Sequence, residues 1–270
     1  MKDLLITFGC SWTFGQGSAY KEGMTDLEYK KIYLNLDLCW ENGWRKYVVD
    51  HFDFDHINFG VGGSSNDKQF RLARQFFISK KFKQLYQQDR KIYVLWGTTS
   101  LNRYDFWVKD KHKYEHIFLT ESDGTKVAPE EWGKWGVRTE ARDYISDCLN
   151  KYSYWEPARV KELELQFLHW NQYFKLLGIK NFWYDTFASF NYSGNLSNFF
   201  DMKKRRRDLL SVLVNNHREK VKSKIPIWNV DDFVYAVDNN LLNPYTYHPK
   251  SDGYKQLGDH MIKNLQERME

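Results

Sequence analysis

The chain is poor in cysteine and contains no long apolar run. Among its 270 residues, the only cysteines are Cys10, Cys39 and Cys148. An odd, scattered set without a Cys-x-x-Cys spacing excludes a disulfide framework and gives no zinc motif, so it favours a reducing compartment. No segment approaches the roughly 18 consecutive apolar residues that a membrane-spanning helix needs. These absences favour a globular protein over a secreted scaffold or a membrane protein.

The sequence shows no internal repeat and no low-complexity linker, and we expect no signal peptide. Its first ten residues, MKDLLITFGC, carry one lysine offset by an aspartate, and the apolar run is too short for a signal peptide. We therefore expect a cytoplasmic protein and a single domain over residues 1–270. The net charge of +5 is spread along the chain apart from KKRRR at 203–207. That run favours a solvated helix face over a nucleic-acid patch.

Short apolar runs alternate with amphipathic segments. The segments that predict strands are 4–9, the start of 56–67, 91–97, 180–187 and 225–230. The segments that predict helices are 39–52, 66–82, 156–179, 203–216 and 251–269. Such alternation predicts a parallel sheet covered on both faces, with an active site beyond the carboxyl ends of the strands.

Two stretches give no clear periodicity. The residues between the first strand and residue 39 are read as a polar loop. Residues 103–155 are rich in Trp, Tyr and His, and they predict an insertion or lid after the third strand, partly helical around 139–150.

The first candidate site residue is Ser11, directly after the first strand in LLITFGCSWTFG. A serine at a strand-to-helix turn can present its Oγ to solvent above the sheet. Its own N–H then lies at a helix start, where it can stabilise a developing oxyanion. A simple turn or an N-cap remains the alternative.

The second candidate is His248, in a proline-containing loop just before the last predicted helix. A serine hydroxyl is a poor nucleophile at neutral pH and needs a base, which His248 could supply. We expect such a base to titrate like an ordinary imidazole, at a pH of about 6 to 7. The alternative is a surface histidine.

Two further loops leave predicted strands. NFGVGGSSN, residues 58–66, has glycines that allow backbone N–H groups to approach a ligand. WGTTSLNR, residues 96–103, carries hydroxyls and an amide at its tip. A tight turn and an N-capped helix start are the respective alternatives.

Taken in order, these blocks resemble the GDSL-like, SGNH-type hydrolase family. GCSWTFG matches the first block, with Cys10 in place of aspartate. The later blocks are matched by Asn58, Gly60 and Gly63 and then by His248, Pro249 and Gly253, and CWENGWRKYV is similar to the Trp-bearing first helix. The resemblance covers the whole chain and is closest to phage and marine-bacterial members.

The resemblance implies a three-layer α/β/α sandwich, flavodoxin-like, with a five-stranded parallel sheet. It implies hydrolysis of a carboxylic ester or O-acetyl group through an acyl-Ser11 intermediate, with His248 as base. The N–H groups of Ser11 and Gly60, with Thr99, would hold the oxyanion. The implied substrate is a small-molecule or carbohydrate ester, with no cofactor, metal or nucleic acid.

Two positions depart from the family pattern. Thr99 stands in place of the oxyanion asparagine, with Asn102 as a displaced substitute. Tyr245 stands in place of the triad acid, three residues before His248. The other acids considered for that role are Asp185, Asp231, Asp232 and Asp238. An O-acyltransferase, or a non-catalytic member that binds carbohydrate or protein, therefore remains an alternative.

Overall fold

The computed structural model describes residues 1–101, 103–108, 113–118, 156–187, 189–193, 196–201, 207–218 and 230–269. The strands are β1 Leu4–Phe8, β2 Asp55–Asn58, β3 Ile92–Thr98, β4 Arg103–Val108, β5 Lys113–Phe118 and β6 Lys180–Asp185. The first helices are α1 Ser11–Phe14, α2 Asp26–Ile32, α3 Leu36–Glu41, α4 Trp44–Phe52, α5 Asn66–Phe77 and α6 Lys80–Tyr86. They are followed by α7 Glu156–Leu176, α8 Leu209–Arg218, α9 Val230–Asp238 and α10 Ser251–Met269.

A parallel sheet of four strands forms the centre, in the order β2-β1-β3-β6. The predicted α/β class with a parallel sheet is therefore confirmed, and four of the five predicted strands are present. The fifth, predicted over 225–230, lies outside the described residues up to 229, and Val230 begins α9.

Side chains alternate across the sheet and bury two separate cores. In β1, Leu4 and Ile6 pack on the face covered by α5, α6 and α7, whereas Leu5 packs on the face covered by α4, α8, α9 and α10. This period of two is the normal consequence of strand geometry. Each fully buried side chain of this size contributes roughly 1.5–3 kcal/mol of transfer free energy. The layers are thus helix, sheet and helix, as the family resemblance implies.

Some helix boundaries differ from the sequence prediction. The predicted helix over 39–52 is two helices, because Asn42 is the C-cap of α3 and Gly43 is the N-cap of α4. The helix over 66–82 also breaks, and the Ser79 side chain accepts from the Phe82 N–H to start α6. The supposed polar loop before residue 39 contains α1 and α2. Thr25 and Glu28 form a capping box at the start of α2. The sequence prediction did not use this signal.

The described parts of the predicted insertion form a hairpin, in which β4 and β5 pair antiparallel. Its β4 strand lies beside α5, and Arg71 makes an ion pair with Asp105 at 2.6 Å. The rest of the insertion, including the helix predicted over 139–150, lies outside the described residues. Within the described ranges, no helix combines the length and apolarity needed to cross a membrane.

The carboxyl edge of the sheet gathers the sequence motifs. The parallel strands end there at Phe8, Asn58, Thr98 and Asp185. Ser11, Gly60 and Thr99 each lie within three residues of a strand end. This edge is where ligands bind in open parallel sheets.

Candidate active site

Ser11 is the first residue of α1, a single turn between Cys10 and Gly15. Gly15 ends the turn with a φ of 93°, a left-handed conformation that favours glycine. Because Ser11 is at the helix start, its N–H has no acceptor within the helix. The expectation that Ser11 presents its Oγ to solvent is wrong, because Ser11 is only 3% exposed.

Side chains from distant helices anchor the turn that carries Ser11. The Trp44 indole donates to the Trp12 carbonyl at 3.2 Å, and Arg45 donates to the Phe14 carbonyl at 2.8 Å. The Tyr254 hydroxyl, from α10, donates to the Gln16 carbonyl at 2.7 Å. The carbonyls that a short helix leaves unpaired are thus satisfied by side chains. The backbone around Ser11 is therefore fixed from two sides.

The second block approaches this turn closely through Gly60. A Cβ at Gly60 would lie 2.9 Å from the Phe14 amide nitrogen, so the position leaves no room for a side chain. The Gly60 N–H donates to Asn58 Oδ1 at 2.8 Å, and the same oxygen accepts from Thr7 Oγ1 at 2.9 Å. The predicted oxyanion donor at Gly60 is therefore engaged by Asn58 in the unliganded structure.

The third block is held by Asn66, whose role sequence reasoning missed. The Thr99 N–H donates to Asn66 Oδ1 at 2.9 Å, and Asn66 Nδ2 donates to the Thr99 carbonyl at 3.0 Å. This two-point clamp fixes the Thr99 backbone. Thr99 Oγ1 is buried and has no hydrogen-bond partner among the described residues, which is uncommon for a buried hydroxyl. Asn102 lies outside the described residues.

The loop of His248 packs directly on the loop of Ser11. A Cβ at Gly17 would lie 2.4 Å from the Cβ of His248, so only glycine permits this approach. Gly17 also has a φ of 103°. At the other end of the His248 loop, a Cβ at Gly253 would lie 2.6 Å from the Leu241 carbonyl oxygen. The structure thus brings together two loops from opposite ends of the chain.

His248 is buried, and burial lowers the pKa of its imidazole to about 3. The positive charge of Arg103 lowers that pKa further, while the Thr246 backbone raises it. The expected ordinary titration at about 6 to 7 is therefore wrong, because a protonated ring would be both desolvated and repelled. The His248 ring is neutral at physiological pH.

Arg103 is the second residue that sequence reasoning missed. Its guanidinium lies over the Phe187 ring, 5.2 Å from the centroid, and Nη1 donates to the Ser64 carbonyl at 3.4 Å. The residue is buried, and burial lowers the pKa of its guanidinium. The only signal in the sequence was its position after the polar tip of the third loop.

Tyr245, which stands in place of the family's triad acid, does not interact with His248 through its hydroxyl. The Tyr245 hydroxyl donates to the Met24 carbonyl at 2.9 Å, and its ring packs edge-on against Tyr20 with centroids 5.9 Å apart. His248 Nδ1, the nitrogen that a triad acid would contact, is buried without a hydrogen-bond partner. Within the described part of the chain, no carboxylate therefore orients this ring through Nδ1.

The other candidate acids are placed as follows. Asp185 lies at the end of β6 and accepts from Thr98 Oγ1 at 2.7 Å and from the Tyr192 hydroxyl at 2.8 Å. Burial raises the pKa of Asp185 to about 6, although the Arg207 guanidinium, 3.2 Å away, opposes the rise. Asp232 is buried and Asp238 is exposed. The Asp231 side chain lies outside the described residues.

The described part of the chain contains no candidate metal-binding site. No group of three His, Cys, Asp or Glu side chains there could hold a metal ion.

Comparison with known proteins gives structural neighbours but no sequence relatives. No protein-family model and no curated protein matches the chain. An acetyl xylan esterase from the rumen bacterium Butyrivibrio proteoclasticus is similar at 13% identity and a TM-score of 0.43, over 99% of this chain and 64% of the esterase. This chain thus spans less than two thirds of that protein.

Two further solved structures are similar over nearly their whole length. A lipolytic protein of the G-D-S-L family from Desulfitobacterium hafniense has 15% identity and a TM-score of 0.34, over 97% of this chain and 99% of that one. A lipase/acylhydrolase from Enterococcus faecalis has 13% identity and a TM-score of 0.35, over 98% and 96%. These likenesses concern the path of the chain, and the function proposed below rests on the residues of the site.

Proposed function

We propose that this chain is a serine hydrolase of carboxylic esters or O-acetyl groups, with Ser11 as nucleophile and His248 as general base. The observation that carries this proposal is the contact between the two loops at Gly17. This contact supports the pairing of the two residues, because it joins the loop that follows the Ser11 turn to the loop that carries His248.

In the proposed reaction, Ser11 Oγ attacks the ester carbonyl carbon while His248 takes the hydroxyl proton at Nε2. The imidazolium then returns that proton to the leaving alkoxide as the C–O bond breaks, which leaves an acyl-Ser11 ester. His248 next deprotonates water, which attacks the acyl carbon. The carboxylic acid departs and Ser11 regains its proton. The neutral His248 is suited to the first of these steps.

The oxyanion would be held by donors that converge on this edge. Thr99 Oγ1 is buried and unpaired, so it can donate one hydrogen bond without losing another. The N–H of Ser11 is free of helical partners by position. The Gly60 N–H would join them once it leaves Asn58 Oδ1.

Labelling with a fluorophosphonate probe, followed by mass mapping, tests this proposal. Wild-type protein should be labelled on Ser11, and Ser11→Ala should not be labelled. Ser18→Ala is a matched control, because Ser18 is equally buried in the same loop and its hydroxyl donates to the Leu38 carbonyl. Equal labelling of Ser11→Ala would contradict the assignment. An unlabelled wild type that also fails to hydrolyse p-nitrophenyl acetate would favour a non-catalytic binding protein.

The burial of Ser11 favours acyl transfer as a second candidate. At 3% exposure, the acyl-enzyme would meet little water. Incubation with p-nitrophenyl acetate and a sugar acceptor would separate the two reactions. O-acetylated sugar as the main product indicates a transferase, and free acetate indicates a hydrolase.

A further inference from the structure

The His248 loop is organised by the side chain of one buried asparagine, Asn243. Asn243 Oδ1 accepts from the Tyr245 N–H at 3.2 Å, from the Thr246 N–H at 2.9 Å and from Thr246 Oγ1 at 3.0 Å. Asn243 Nδ2 donates to the His248 carbonyl at 3.1 Å, and the Asn243 N–H donates to the same oxygen at 2.9 Å. Asn243 itself is 0% exposed, while the groups of Tyr245 and Thr246 that it binds are partly buried. A single side chain thus ties both ends of the loop.

Thr246 is held at a second point as well, through its side-chain hydroxyl. The Tyr29 hydroxyl, from α2, lies 3.3 Å from Thr246 Oγ1. The Thr246 backbone favours the protonated form of the His248 ring, so its carbonyl faces the imidazole. It is not yet in hydrogen-bonding geometry with His248 Nδ1, which has no partner in the unliganded structure.

We propose that Asn243 is a positioning residue, which holds the Thr246 carbonyl as the acceptor for the Nδ1–H of His248 in place of a triad carboxylate. This inference rests on the proposed function, since it concerns the base of that reaction. When Nε2 receives the Ser11 proton, Nδ1–H donates to the carbonyl, and no proton is transferred to Thr246.

The consequence is a base that is oriented but weakly stabilised in its charged form. A carbonyl carries no net charge, so it offsets less of the burial cost of imidazolium than a carboxylate would. Arg103 adds repulsion to the charged ring. The Asn243 clamp therefore acts on the direction and tautomer of His248 rather than on its basicity.

The experiment compares Asn243→Ala, Asn243→Asp and a matched control, Asn264→Ala. Asn264 is also buried, and its Nδ2 donates to the His260 carbonyl within α10. Asn243→Asp keeps the acceptor oxygen but loses the donor to the His248 carbonyl. We expect Asn243→Ala to lower kcat ~10²-fold with little change in KM, as for a misplaced catalytic group. Asn243→Asp should recover part of that loss, and Asn264→Ala should leave kcat unchanged.

A readout on the unliganded protein separates this inference from the proposed function. In ¹⁵N-labelled wild type, long-range ¹H–¹⁵N spectra should show neutral His248 with its proton on Nδ1. Asn243→Ala should shift or broaden those signals, whereas Asn264→Ala should not. This result would support the clamp even if no ester were hydrolysed.

Two outcomes would overturn the inference. A wild-type proton on Nε2 would mean that Nδ1 does not donate to Thr246, and this measurement needs no variant. Alternatively, wild type could hydrolyse esters while Asn243→Ala keeps its kcat and its His248 spectrum. In that case the proposed function stands and the positioning role is wrong.

Discussion

Two polar clusters lie at the same carboxyl edge, and they differ in whether their buried charged and polar groups have a counterpart. In the Asp185 cluster, made of Thr98, Asp185, Tyr192 and Arg207, two hydroxyls donate to Asp185 Oδ1, and Asp185 Oδ2 forms an ion pair with Arg207 at 3.2 Å without a hydrogen bond. In the Ser11 site, made of Ser11, Gly60, Thr99 and His248, Thr99 Oγ1 and His248 Nδ1 have no partner. The opposite charges of Asp185 and Arg207 compensate each other and hold loops together, whereas Thr99 Oγ1 and His248 Nδ1 have no such counterpart and leave capacity for a ligand.

The neighbouring threonines show this difference within one strand end. Thr98 and Thr99 are equally buried, yet they belong to different clusters. Thr98 Oγ1 donates to Asp185, while Thr99 has its backbone clamped by Asn66 and its hydroxyl unpaired. We therefore expect the Asp185 cluster to govern stability and the Ser11 site to govern turnover.

The largest expected effect is on turnover, from His248→Gln. Loss of a general base that acts as a unit with its serine should lower kcat by ~10⁴ to 10⁶. Stability should change little, since the His248 ring has no hydrogen bond through Nδ1 to lose. Steady-state kinetics with p-nitrophenyl acetate measures this. A His248→Gln variant with wild-type kcat would remove His248 from the proposed reaction.

The Asp185 cluster should give the opposite result with Asp185→Ala. Removing one partner of a buried ion pair leaves Arg207 uncompensated, which typically costs about 3–5 kcal/mol of folding free energy. Urea unfolding measures this loss. Activity per folded molecule should stay within a few-fold of wild type. If stability were unchanged and kcat collapsed, Asp185 would belong to the catalytic site.

The matched pair Thr99→Val and Thr98→Val tests the comparison most directly. A lost oxyanion donor should lower kcat by ~10² to 10³ with little change in KM, and this is expected for Thr99→Val. Thr98→Val should instead cost ~1–3 kcal/mol of stability, because it leaves Asp185 with a missing donor. Steady-state kinetics and urea unfolding of both variants measure these changes in kcat and in stability. Neutral kinetics for Thr99→Val would leave backbone N–H groups as the oxyanion donors.

The sequence was informative where the signal was local. Apolar runs and glycine stops predicted the four described sheet strands, and their parallel alternation predicted the edge at which the motifs gather. The split of one predicted helix at Ser79 was missed, because helical periodicity continued across a local N-cap. The capping box at Thr25 was a readable signal for α2.

The sequence was uninformative where the property depends on distant contacts. The burial of Ser11, the clamp of Thr99 by Asn66 and the charge of Arg103 beside His248 each join separate segments. No local pattern encodes such contacts, since the same residues would serve as solvated caps in another fold. The family resemblance gave the residue types of the site but not the electrostatics of its base.

The pH dependence of activity should reflect that electrostatics. With its pKa at about 3, His248 is neutral from pH 5 to 8, so kcat/KM should be flat in this range. Arg103→Met removes a positive charge and should raise that pKa, which shifts the acid limb of the profile upward. Arg90→Met, a substitution of a buried side chain that pairs with Asp55 at the other end of the sheet, is the control. Identical profiles for wild type and Arg103→Met would exclude this coupling.

The smallest expected effect is on the pH dependence of stability, where the two clusters should act with opposite signs. The pKa of His248 is lowered from 6.5 to about 3. Below pH 6.5 the unfolded chain therefore binds a proton at His248 while the folded chain does not, so the free energy of unfolding falls as the pH falls. The pKa of Asp185 is raised from 3.8 to about 6, so its contribution to stability is lost as the pH rises through 6. His248→Gln should therefore flatten the decline between pH 6 and 4, and Asp185→Asn should steepen it, each by up to ~1.4 kcal/mol per pH unit. Burial also lowers the pKa of His56 to about 3. Because His56 is unchanged in both variants, its contribution to the pH dependence of stability is the same in each. Urea unfolding at several pH values gives these slopes, and equal slopes for the two variants would show that the two buried groups do not differ in the way the comparison requires.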